Sequence, residues 1–158
     1  MVCYISRFHY ASKQFSSDKH NLYIFQLNGR RLPLELKLLL QIQDIPGIIR
    51  LVDFYERDDS FIYVQESPFP YTELDDIIDK KGMLVEPLAQ HFFLQVVETV
   101  IACHSQGVIH GGIRETNLLV DLHTMDLKLI HFQYGKFIDV KKGNASLNNM
   151  RFIGKSNF

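Results

Sequence analysis

The chain has 158 residues, 46% hydrophobic and 22% charged, with a formal net charge of −1. Those values suit one compact domain with a buried core, and they exclude the broad field that would draw nucleic acid or an anionic membrane. Cys3 and Cys103 form no spaced framework, no apolar run nears the roughly 18 residues of a membrane span, and MVCYISRFHY lacks the blocks of a secretory leader, so we expect two buried thiols in a cytoplasmic or nuclear protein.

Residues 2–10, rich in β-branched and aromatic types, predict one opening strand without a lysine, and the polar run Ala11 to Asn21 predicts a loop. An apolar patch, Leu22 to Leu27, and an Asn28-Gly29 turn lead into RRLPLELKLLLQIQ. There Pro33 suits a first helical turn, and Leu34, Leu38 and Ile42 share one stripe, so a helix with one buried face is expected. By itself Glu35 reads as a solvated carboxylate near the positive end of the helix dipole.

The segments IIRLVDFYE and SFIYVQE alternate as antiparallel strands around the polar tip Arg57-Asp58-Asp59. Ser67-Pro68-Phe69-Pro70 then interrupts pairing, because proline has no backbone N–H, and forms a hinge. TELDDIIDKKG predicts a short helix ended by Gly82, with Glu73, Asp75 and Asp76 as dipole-matching surface charges. From Pro87 to Ser105 the apolar residues Leu88, Phe92, Val96 and Val100 recur every fourth position, flanked by Phe93, Val97 and Ile101. That band is too wide for a helix covered on one side only. Gly107 marks its end. NLLVDL and DLKLIHF follow as a hairpin around His123-Thr124-Met125, and Asp139 to Phe158, poor in apolar residues, predicts a mobile tail.

Two polar clusters flank that hairpin: His110-Gly111-Gly112 with Asn117, and His131-Phe132-Gln133. Their spacing follows the kinase pattern H-R-D-x-x-x-x-N and D-F-G. Together with LPLELKLLLQI, GIIRLVDFYERDDSFIYVQESPFP, QHFFLQVVETVIACH and GVIHGGIRETNLLVDL, the chain resembles protein kinases over roughly Arg30 to Phe137, and is most similar to the PIM family of serine/threonine kinases. The resemblance implies an α+β fold: a partial kinase N-lobe over 1–66, with an incomplete sheet and one helix; a hinge and the first part of a mainly helical C-lobe over 67–138; and the tail over 139–158. It also implies ATP bound between lobes and phosphate transfer to serine or threonine.

Carried over by position, the resemblance makes Glu35 the helix carboxylate that would pair with a strand lysine, and puts Ile5 at the simplest match for that lysine. Glu66 becomes the hinge residue whose carbonyl would accept from adenine, and Asn117 the asparagine that would hold one magnesium. Asn117 has an equally natural local use in capping its own loop.

The departures bear on the chemistry. Gly112 stands where the general base would be, and such a base is commonly worth about 10²–10⁴-fold in rate. Gly111 replaces the arginine that would grip a phosphorylated loop. His131 replaces the magnesium aspartate, although magnesium prefers hard oxygen ligands. Arg114 takes the place of a lysine near the transferred phosphate, and Gln133 that of a flexible glycine. His110 and His131 lack a further spaced ligand and read as packing residues, so no metal is expected.

The expected protein is therefore a truncated, catalytically inactive PIM-like kinase homologue. It would have no cofactor, or at most weakly held ATP and magnesium, and would act through a protein partner on the apolar face of the Pro87–Ser105 helix. The alternatives are a weakly active serine/threonine kinase using Glu115 as base, and a fragment without function.

Overall fold

In a computed structural model of the chain, residues 2–5, 8–16, 24–27, 30–58 and 60–138 are described. The first sheet has four strands: β1 (Val2–Ile5), β2 (Phe8–Ser16), β6 (Ser60–Glu66) and β5 (Leu51–Glu56), in that spatial order and antiparallel throughout. One opening strand was expected over 2–10; there are two, and the second continues through Ser16 into what reads as a loop. Polar residues within Ala11 to Ser16 hid a strand that is held by seven register partners on β6, from Tyr10↔Glu66 to Ser16↔Ser60. Ladder pairing overrides the weak strand preference of Ser, Lys and Gln there.

A separate hairpin, β3 (Ile24–Leu27) and β4 (Arg30–Pro33), delivers the chain to helix α1 (Leu34–Ile42). Pro33 stands just before the helix as its N-cap. The single buried stripe expected for α1 is too narrow a description. Leu36 packs with Leu32, Leu51, Phe61 and Tyr63 in a small cluster at the first sheet, whereas Leu38, Leu39 and Ile42 belong to the larger core below it. The helix is buried between two layers, leaving Lys37, Leu40 and Gln41 to solvent.

Beyond the hinge, Tyr71–Glu73 forms strand β7 rather than the start of the helix, because it pairs with β9 (Leu118–Asp121), which in turn pairs with β10 (Leu127–Leu129). Helix α2 follows at Leu74–Lys81, with Asp75 and Asp76 in its first turn, Lys80 and Lys81 in its last, and Gly82 at φ 75° beyond it. This charge order matches the helix dipole. Helix α3 spans Glu86–Ser105 and buries Phe92, Val96, Thr99, Val100 and Cys103. Burial pushes the Cys103 thiol up to about 11, so it is a packing residue and not a nucleophile. Cys3 has no described side chain, and the tail expected from Asp139 lies outside the described residues, as do Asp59 of the hairpin tip and Arg7, the one long cation expected in the opening strand.

Two short strands, β8 (Val108–Ile109) and β11 (Lys136–Phe137), pair beneath α1. The upper and lower parts are joined through backbone: Leu129 N–H donates to Gly47 O at 2.8 Å and Ile49 N–H to Leu129 O at 3.3 Å. Gly47 lies so close to α3 that a Cβ there would fall 1.8 Å from Thr99 Oγ1. The result is a partial kinase-like α+β fold. No helix among the described residues is long and apolar enough to cross a membrane.

Candidate functional site

The site is built on the loop between β8 and β9 and on the turn after β10. His110 is buried and both of its ring nitrogens are used: Gly112 N–H donates to Nδ1 at 3.1 Å, and Nε2 faces Ile130 O at 2.9 Å. Since a carbonyl only accepts, Nε2 carries the proton and the ring is neutral. Burial lowers its pKa to about 4, outweighing the opposite effect of the Ile130 carbonyl. The ring meets the fully buried Phe132 edge-on, with centroids 4.4 Å apart.

Asn117 ends the 3-10 turn Glu115–Asn117 and is also buried. Its Nδ2 donates to Gly112 O at 2.7 Å, which sets the amide orientation and turns Oδ1 toward His131 Nδ1 at 3.3 Å. His131 Nδ1 therefore carries the proton in this contact. The backbone of Asn117 is tied as well, donating to Arg114 O and accepting from Ile130 N–H at 3.0 Å. Four of the residues singled out from the sequence, His110, Gly112, Asn117 and His131, thus form one connected network. Arg114 and Glu115 lie on its exposed outer side.

The two glycines differ. Gly111 has φ 78°, and a Cβ there would sit 2.3 Å from Tyr134 O. At Gly112 a Cβ would meet only ring atom Cδ2 of the exposed Tyr134, at 3.3 Å, and more distant atoms of Asn117 and His110. Side-chain room exists at the base position and is closed at the arginine position. Tyr134, which the sequence did not single out, belongs to the 3-10 turn Phe132–Tyr134, whose entry is His131 at φ 67°.

Glu35 is 8% exposed rather than solvated; burial, and after it the Glu35 carboxylate, raises the pKa of Tyr63. The strand beside β6 is β2, so Ile5 on the outer strand β1 does not occupy the lysine position. Lys13 does lie on β2, with Tyr63 as its register partner. Tyr10-Ala11-Ser12-Lys13 shares its second and fourth residues with the kinase strand signature V-A-I-K. The expectation that the lysine is missing came from ending the strand at residue 10, before this signature. Glu66 closes β6, and its carboxylate accepts from Arg50 Nε at 2.8 Å while its own N–H donates to Arg50 O.

The side chains at the two positions that bind magnesium in the family pattern face each other. Asn117 Oδ1, the family's ligand atom, faces an imidazole N–H, and the second ligand position holds that imidazole in place of a hard oxygen. Among the described residues no three His, Cys, Asp or Glu side chains gather to hold a metal.

A sheet over a helix, a proline-bearing hinge, and a catalytic-type loop facing a metal-type loop define a protein-kinase-like domain. The chain matches the protein kinase domain model over residues 6–158 and belongs to that family. It is 34% identical to serine/threonine-protein kinase prk-2 of Caenorhabditis elegans over 107 residues, covering 68% of this chain and 24% of that protein. It is 42% identical to serine/threonine-protein kinase pim-2 of Danio rerio over 90 residues, covering 56% of this chain and 29% of that protein. Against serine/threonine-protein kinase PSK2 of Saccharomyces cerevisiae the identity is 33% over 137 residues, covering 80% of this chain and 12% of that protein. The chain thus spans less than a third of the length of each of these relatives.

Proposed function

We propose that this chain is a PIM-like serine/threonine kinase homologue that does not transfer phosphate and works by binding another protein. The observation that carries the first half is the loop network itself: the base position is Gly112, and the two magnesium positions, Asn117 and His131, are hydrogen-bonded to each other. Without a base, and without a hard-oxygen metal ligand at residue 131, both the proton transfer and the charge neutralisation of phosphoryl transfer lose their agents.

Helix α3 supports the second half. Its buried face is Phe92, Val96 and Val100, while Phe93, Leu94 and Ile101 are 54%, 59% and 62% exposed. Apolar side chains grouped at helical spacing on a surface favour a helix-binding or groove-binding protein partner. The test is a phosphotransfer assay on the purified chain with magnesium and a basic serine/threonine peptide, alongside a pull-down compared with Phe93→Ser and Ile101→Ser. Turnover that disappears with Asn117→Ala would overturn the inactive reading, and capture unchanged by both surface variants would overturn the docking face.

A second reading, a weakly active kinase, is favoured by one observation: Lys13 lies on β2 and Glu35 is buried nearby at Tyr63, so the upper half of the phosphate-binding apparatus has its residue types. In that reading exposed Glu115 supplies the base. Turnover lost in Glu115→Gln would favour it.

A further inference from the structure

We propose that the exposed face of α3 takes up a basic amphipathic helix. This names the partner class for the α3 docking face and rests on that reading. Leu94, Val97 and Ile101 follow one another at alternating short and long helical spacings, and Gln90 and His104 continue the same row at either end. Such a row is the seam that packs against another helix, because a repeat of about 3.5 residues keeps it facing a partner along its length. Leu94 and Ile101 are exposed and Val97 is half-buried. Phe93 flanks the row, and Val85, 67% exposed, extends the apolar surface ahead of the first turn. From Gln90 to His104 the row runs about 21 Å, which matches about four turns of a second helix.

The charges beside the row select the partner. Helix α3 contains no Lys or Arg, and its two carboxylates, Glu86 and Glu98, are both exposed. Glu86 accepts from Gln90 Nε2 at 3.1 Å. Glu98 follows Val97 directly and has no hydrogen-bond or ion-pair partner among the described residues. It stands at the rim of the row, midway along it, where a Lys or Arg beside the apolar seam of a docked helix would meet it. The same charge tells against two other occupants. Antiparallel pairing of two copies, centred between Leu94 and Ile101, would set Glu98 beside its own copy, where like charges repel. An anionic lipid surface attracts helices rich in Lys and Arg, which α3 lacks.

The test titrates the full chain, by fluorescence anisotropy, with two labelled amphipathic peptides of about three heptads. Both carry Leu at the seam positions; one has Lys and the other Glu at the flanking positions. We expect the Lys-flanked peptide to bind about tenfold tighter or more at low salt, with the gap narrowing as salt rises. Glu98→Lys should weaken the Lys-flanked peptide about fivefold and tighten the Glu-flanked one by a similar factor, a gain that an unfolded chain would not show. Leu94→Ser and Ile101→Ser should each weaken both peptides while circular dichroism stays that of the parent. Equal binding of the two peptides, or a preference unmoved by Glu98→Lys, overturns the inference. If that binding is still lost in Ile101→Ser, the docking face of the proposed function survives. Binding of neither peptide also overturns the inference, as does sedimentation of the chain alone as a dimer that Ile101→Ser dissociates. Pull-down unchanged by Phe93→Ser and Ile101→Ser defeats the docking face itself, so the two failures are distinct.

Discussion

At Gly111 and Gly112 the same residue type has two different consequences. Gly111 combines a left-handed backbone with a carbonyl 2.3 Å from where its Cβ would be, so Gly111→Ala should destabilise the domain by about 2–4 kcal/mol. Gly112→Ala meets only the edge of an exposed ring and also reduces unfolded-chain entropy, so it should stay within about 1 kcal/mol of the parent. Urea denaturation of the two variants checks the contrast; equal losses would show that Tyr134 does not close the arginine position. His110 gives a pH prediction. Its folded pKa of about 4 lies below the ordinary value of 6.5, so on acidification the unfolded chain takes up this proton first. The stabilisation due to a neutral His110 is present above pH 6.5 and fades as pH falls toward 4, for a total on the order of 3 kcal/mol. The pH dependence of unfolding free energy should therefore be shallower in His110→Gln than in the parent between those values.

Helices α1 and α3 show what element-level patterning carries. The wide apolar band of α3 leads one to expect some of Phe92, Phe93, Val96 and Val100 to lie exposed; of these Phe92, Val96 and Val100 are buried, and Phe93, with Ile101, is left at the surface. Phe92→Ala should cost about 3–5 kcal/mol in folding free energy. Phe93→Ser, at 54% exposure, should change monomer stability by less than about 1 kcal/mol while raising solubility. Denaturant midpoints with unchanged m-values would establish the difference; a Phe93→Ser loss comparable to that of Phe92→Ala would mean the stripe is internal packing. For α1 the stripe reading found Leu38 and Ile42 but left out Leu36 and Leu39, because a helix set between two layers is buried over more of its circumference than a surface helix.

Across the whole molecule, α1 couples the first sheet to the lower core, and the backbone bonds between Gly47, Ile49 and Leu129 close the same seam. Unfolding should accordingly be one cooperative step. With seven tyrosines and no tryptophan in the chain, tyrosine fluorescence and far-ultraviolet circular dichroism should give coincident transitions, and two separated transitions would show independent halves. The strongly periodic or motif-bearing parts were legible beforehand: α3, the β5–β6 hairpin with its proline hinge, and the loop residues His110, Gly112, Asn117 and His131. The β2 strand was not, since its polar residues resemble a loop until β6 is placed beside them, and Lys13 was lost with it. By itself the sequence determined the family pattern and the missing carboxylates, because residue identity at fixed spacing is local information. Only the tertiary structure decided that Glu35 is buried, that Lys13 stands on the strand next to Tyr63, and that Asn117 and His131 occupy each other. Burial, strand neighbours and hydrogen-bond direction depend on which distant segments meet.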